Sequence, residues 1–297
     1  MRHYRKARST LNVVDMNIND ELEFQLMNSD VKTIKLKDVH AGVHETNLAP
    51  EEKGRSGGIT VYKLAIFLEI DGHRVQVVRT IGNDESFYEP YEFYGIRFWP
   101  DASQLPFNNA TVTEAHGDCN PEVDLRIVIQ DATLRICPPM LHAWCPLPKG
   151  GLKIKHCYNG DDCWLGAYFG RDAHGGLDIN HQSGTKLWAP ITFDRHEFFA
   201  RLEDGDNNNR WRGYHEWADG STWILQSHHM IDLLVPQDMP IMAGECYASS
   251  AGALCGNHEH SHFVFRIEDE TGKYIIDPWI LFWQMYKDRE EATSITN

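Results

Sequence analysis

No uninterrupted apolar run in the chain is long enough to cross a bilayer, so no helical membrane span is expected. Positive charge is scarce: 28 Lys and Arg stand against 43 Asp and Glu, a formal net charge of -15. Such a surface repels phosphate backbones, which sets nucleic acid aside as a partner. It also disfavours docking on anionic wall polymers or lipid surfaces and suits neutral or cationic substrates better. None of the seven cysteines falls in a Cys-x-x-Cys pair, so a cysteine zinc knuckle is not expected. The basic opening Met1–Asp15 has no apolar stretch after it, so no signal peptide is visible and the compartment stays open. Internal repeats and low-complexity tracts are missing, and long helical periodicity is nearly so.

What remains is an ordinary globular composition, 42% hydrophobic and 24% charged, over 297 residues, enough for one large domain or two ordinary ones. Alternating patterns dominate. Val61–Ile70, the pair Asp71-Gly72 and His73–Arg79 read as a hairpin on a two-residue turn. Val123–Gln130 and Thr133–Cys137 read as two more strands. The fold class expected is all-β: a sandwich-like domain over residues 1–150, then a second β domain over 151–297 that ends in a short helix. Cys137–Gly151, rich in Pro and Gly, is the natural linker. Strands are also expected around Ser221–Gln226 and His260–Ile267. At the end, Asp277-Pro278 supplies an N-cap and a first-turn proline for a helix through Trp279–Tyr286. Its Trp279, Trp283 and Tyr286 recur at helical spacing and would pack on the core or on a second subunit of a homo-oligomer.

Beyond Leu152 the texture changes, and ten of the sixteen histidines fall there. Three fragments stand out: His174-Gly-Gly-Leu-Asp178, His228-His229, and His258-Glu-His260-Ser-His262-Phe-Val-Phe265. In a strand, residues two apart share a face. His258, His260 and His262 would therefore line a cleft while Phe263 and Phe265 enter a core. Gly175-Gly176 disfavours a helix between His174 and Asp178, so a turn into a strand, with Leu177 and Ile179 inward, is expected. Two imidazoles and one carboxylate make a suitable catalytic zinc set, because three protein ligands leave the fourth position to water. The metal then favours ionisation of that water and polarises a carbonyl.

The order of these motifs resembles that of lysostaphin-type zinc endopeptidases over about residues 165–267. His229–Gly244 is similar to that family's segment "HL…LV…GD.V.AG", and Gly184–Pro190 to its "GTPVYAP". The resemblance implies His174, Asp178 and His262 as zinc ligands, with His229 and His260 as a non-ligand pair. That pair would deprotonate the attacking water and stabilise the oxyanion. It implies a small antiparallel β-sheet with a groove across it, a peptide or cell-wall substrate, and a secreted, periplasmic or envelope setting. The chain departs from the family at Gln226-Ser227-His228, where a Tyr is usual two residues before His229. It departs again at Ser261 and at Val264, and the lead-in Ala251–Asn257 also differs. These changes leave zinc binding intact and put substrate identity in doubt. His181, His228, His258, Arg210, Trp211 and Arg212 are the candidates for lining the groove.

The leading expectation is a zinc metalloendopeptidase acting on peptide bonds such as peptidoglycan cross-links. One alternative keeps the site for another substrate, such as an acidic polysaccharide cleaved by β-elimination. A second is a non-catalytic binding module. Smaller features are a glycosylation sequon at Asn109-Ala-Thr111, a flexible loop at Gly54–Gly58, and the pairs Cys157/Cys163 and Cys246/Cys255. Each cysteine pair would be a disulfide in an oxidising compartment or else two buried thiols.

Overall fold

The computed structural model describes residues 1–46, 60–81, 89–103, 122–147, 176–204, 207–250, 254–255 and 258–295. Among the described residues the chain is mostly strand, with one α-helix near the C-terminus, and the strands make three sheets. The first sheet holds β1 (Arg2–Lys6), β3 (Glu21–Gln25), β4 (Val31–Thr46), β5 (Thr60–Ile70) and β6 (His73–Ile81), in that order. Its pairs are antiparallel except β1–β3, which is parallel. The expected hairpin is present: Asp71 and Gly72 have φ of 49° and 82°, the positive values that a turn matching strand twist needs. The second sheet runs β2 (Asn12–Met16), β9 (Leu125–Asp131), β8 (Ile96–Ala102), β7 (Tyr91–Phe93).

Alternation in β9 explains how the layers stack. Leu125, Ile127 and Ile129 join Val14, Met16, Ile96 and Phe98 in a core shared with the first sheet. Val128, on the other face, joins Leu11, Val13 and Trp99 in a second core. That second core also holds Leu177, Trp223, Phe263 and Phe265 of the third sheet and most of the first two turns of helix α1 (Trp279–Ile295). A helix buried all round belongs inside a core, and Trp279 through Tyr286 are buried throughout. Trp283 meets Trp99 edge-on, and Phe282 contacts both Trp144 and Phe263. Trp279, Trp283 and Tyr286 are thus engaged within the chain itself. The N-cap reading holds, since Trp279 N donates to Asp277 Oδ1 at 2.9 Å.

Two local expectations are corrected. Thr133–Cys137 is no strand. Its backbone is committed to α1, with Ile136 N donating to Gln284 Oε1, while Arg135 pairs with Asp288 and Pro138-Pro139 follow. The described part of the supposed linker, 137–147, is packed and not free: Leu141, Trp144 and Cys145 are buried, and Leu141 N donates to Asp288 at 2.7 Å. The expected boundary near 150 lies outside the described residues, as do Gly54–Gly58, Asn109–Thr111 and the pair Cys157/Cys163.

The third sheet carries the site. Its path is β10 (Leu177–Asn180), β17 (His258–Asp269), β14 (Thr222–Leu233), β13 (Asn209–Glu216) and β12 (Arg195–Phe199), all antiparallel. Flanking pieces are β11 (Lys186–Trp188), β15 (Cys246–Ser250), β16 (Leu254–Cys255) and β18 (Gly272–Ile276). Cys246 is a free thiol at the start of β15, opposite Trp188, whereas Cys255 belongs to β16 against His258. The Cys246/Cys255 disulfide is therefore not formed.

Candidate functional site

Register assembles the site. Asp178 on β10 stands directly opposite His262 on β17, and His262 stands opposite His228 on β14. Three strands thus place three polar side chains in one row, on the face opposite Phe263 and Phe265. In the next strand the pairing slips. Ser227 pairs with Trp211 and Met230 with Asn209, so β14 spends one residue more than β13 between these pairs. The extra residue makes a β-bulge at His228-His229. His229 takes φ of 58°, a left-handed conformation that non-glycine residues adopt at a cost.

The bulge has a chemical consequence. Adjacent residues of a regular strand point to opposite faces, yet here both rings meet the β17 histidines. His228 stacks on His262 at 4.9 Å between ring centroids, and His229 meets His260 edge-on at 4.8 Å. Side chains behind the sheet support the kink. Asn209 Nδ2 donates to Ile231 O at 2.9 Å, and Ser261 Oγ donates to Ser250 Oγ, which reaches the His229 carbonyl at 3.4 Å.

Within the cluster, Asp178 is the hub. Its Oδ1 accepts from His262 Nδ1 at 2.7 Å, and its Oδ2 lies 3.2 Å from His260 Nε2. All three side chains are almost fully buried. Gly176 leaves the room they need: a Cβ there would stand 2.3 Å from His262 Cε1 and 2.9 Å from the Phe263 carbonyl oxygen. His229 Nδ1 donates to Asn208 Oδ1 at 2.7 Å, which fixes its tautomer and leaves Nε2 as the acceptor.

The other expected residues divide. His174 lies outside the described residues, and so does the side chain of His258. His181 follows β10 and touches Phe263, a core side chain. Its buried Nε2 has no hydrogen-bond partner. Burial first, and then the neighbouring His260, push its pKa down to about 4. Trp211 is buried in the core with Nε1 donating to His196 Nδ1 at 3.2 Å. Arg210 and Arg212 stand on β13 alongside the cluster. Among the described residues no group of three or more His, Cys, Asp or Glu is arranged to hold a metal ion. Asp178 and His262 do present converging donor atoms of the types zinc accepts.

No family model and no curated protein matches the sequence. Among solved structures, the chain is similar to one named as an M23 peptidase from Pseudomonas aeruginosa. The identity is 13% over 95% of this chain and 96% of that one, with a TM-score of 0.33. It is also similar to a zinc-containing peptidase from Vibrio cholerae, at 12% identity over 89% and 83% of the two chains, with a TM-score of 0.28. Likenesses this distant carry no assignment.

The sequence pointed to the histidines and to Asp178. It gave no sign of Asn208 or Ser250, and Ser261 stood out only as a departure from the resembled pattern; the roles of all three depend on strand register. Gly176 was seen only as a helix breaker.

Proposed function

We propose that the chain is a zinc-dependent metallohydrolase that cleaves peptide bonds, with peptidoglycan cross-links as the candidate substrate. One observation carries this reading. Asp178, His260 and His262 share one face of the third sheet by register, and a bulge that holds His229 at positive φ brings its ring to the same cluster. Strain of that kind persists where the surroundings enforce it and clusters at functional sites.

In this reading Asp178 and His262 hold the metal together with His174. Zinc, when bound, lowers the pKa of a water and polarises the scissile carbonyl. The remaining steps belong to the chain. His229, with Nδ1–H committed to Asn208, has Nε2 as its acceptor nitrogen and takes a proton from the attacking water. His260, whose Nε2 lies 3.2 Å from Asp178 Oδ2, stands edge-on to His229, where it stabilises negative charge developing on the carbonyl oxygen. His229 then returns the proton to the leaving amine. The tight burial of Asp178 and His262 keeps water away from the carboxylate, which strengthens its interactions.

The test is cleavage of oligoglycine peptides and of purified peptidoglycan, followed by mass spectrometry of the products. Cleavage should stop with chelator, return with zinc, and fall roughly 100- to 10,000-fold in His229→Ala, the usual weight of a general base. Chelator-resistant cleavage, an undiminished His229→Ala, or intact peptides throughout would each overturn the proposal.

A further inference from the structure

The net charge of -15 conceals a local exception beside the histidine cluster. The row that runs Asp178, His262, His228 continues past the bulge to Arg210 on β13 and then to Phe199 on the edge strand β12. One row further along, Gln226, Arg212 and Glu197 stand opposite one another; the next holds Ile224, Tyr214 and Arg195. Across these three rows β12 and β13 carry three arginines and one glutamate, and Glu216 stands one row beyond. This face is shielded at its β14–β17 end, where Gln226 and Val264 are buried, and opens toward β12, where Phe199 is exposed.

Arg212 is held ready and unspent. Its Nε donates to Gln226 Oε1 at 3.1 Å, its Nη1 lies 3.4 Å from Tyr214 Oη, and its guanidinium sits 5.7 Å from the Phe199 ring centroid. Glu197, the acid directly across from it, is turned instead to Tyr214, whose hydroxyl donates to Oε2 at 2.8 Å. Glu197 also pairs with Arg195 at 3.8 Å, and among the described residues no ion pair involves Arg212. Fixing Nε and one edge of the guanidinium removes the rotamer cost of binding and leaves the Nη2 edge for a planar anion.

We infer that Arg212 is the specificity residue of a subsite that reads a carboxylate on the substrate chain. The inference rests on the peptide-hydrolase reading only for the class of chain that is bound. Geometry sets the spacing. With strands roughly 4.8 Å apart and residues rising roughly 3.4 Å, Arg212 lies roughly 8 Å from His228 and roughly 12 Å from His262. An extended peptide covers that span in about three or four residues. The preferred substrate is therefore a peptide with an acidic side chain or carboxyl terminus about three residues to the β12 side of the cleaved bond.

The experiment is fluorescence anisotropy on the full chain with labelled heptaglycine peptides carrying Glu or Gln at each position in turn. At one position wild type should bind the Glu peptide about 10-fold tighter than the Gln peptide. Arg212→Gln should bring that ratio to about one while the Gln peptide binds as before, and Arg212→Lys should fall between. An unchanged melting temperature in Arg212→Gln keeps the comparison clean. Equal binding of Glu and Gln peptides at every position, a preference that survives Arg212→Gln, or no binding at all would overturn the inference. So would Arg212-dependent binding of labelled oligogalacturonate without any Glu preference, which would assign the subsite to an acidic glycan. Because the readout is binding, failure of peptide cleavage overturns the hydrolase reading separately.

Discussion

His229 and Gly176 show how much of the site rests on single positions. At φ of 58°, a Cβ costs roughly 1–2 kcal/mol that glycine avoids. Replacing His229 by Ala or by Gly removes the same imidazole and the same bond to Asn208. The Gly variant should nonetheless be more stable than the Ala variant by about 1 kcal/mol, read by urea denaturation; equal stabilities would mean that the bulge relaxes. Gly176 is the opposite case, a position where any side chain is too much. Gly176→Ala drives a methyl group against the His262 ring and the Phe263 carbonyl oxygen, and the backbone oxygen cannot swing aside. The expected loss is about 1–3 kcal/mol by thermal melting, as for other overpacked sites, together with a displaced His262. An Ala variant as stable and active as wild type would contradict the contact.

At the level of elements, α1 ties the site to the rest of the molecule. Phe282 is buried against Trp144, Trp279 and Phe263, and Phe263 is the chain neighbour of His262. Phe282→Ala should cost about 3–5 kcal/mol in denaturant titration, the price of a large aromatic removed from a packed core; a loss under about 1 kcal/mol would show the helix to be peripheral. The elements also show which signals reside in sequence. The Asp71-Gly72 hairpin and the Asp277-Pro278 cap were legible because their cause lies within a few residues. Alternation in His260–Phe265 was legible because one face is imidazole and the other aromatic. The bulge at His228-His229 was not, since it exists only in the register of β14 against β13. Thr133–Cys137 misled for a related reason: its alternation is real, but its partners are side chains of α1 nearly 150 residues on.

Across the whole molecule, polar ties as well as the shared core join the early sheets to the late one. Arg8 bonds Asp269 at 2.5 Å, Thr10 Oγ1 donates to Asp219 at 2.6 Å, and Arg126 donates to the Ile275 carbonyl at 3.1 Å. The deepest tie is also the most pH-sensitive. Arg79 on β6 pairs with Asp277 at the start of α1, and Asp101 on β8 accepts from Asp277 N at 2.9 Å through Oδ1 while its buried Oδ2 has no partner. Burial, and then the charge of Asp277, push Asp101 up to about 7. A raised carboxyl pKa means that the folded state holds a proton the unfolded chain has released. Stability should therefore fall as pH rises from about 4 to about 7, by at most about 1.4 kcal/mol per pH unit. Asp101→Asn keeps the acceptor and should flatten that slope in denaturation series across the interval; an unchanged slope would place the proton elsewhere. The two-part division at residue 150 expected from composition remains a proposal, and the described core runs continuously from β2, β8 and β9 into the third sheet.

The central claim is the metal, and its content can be measured directly. Mass spectrometry of tag-free wild type and of His262→Ala should find about one zinc per wild-type chain and none in the variant. No metal in wild type, even after zinc is added back, would contradict the account.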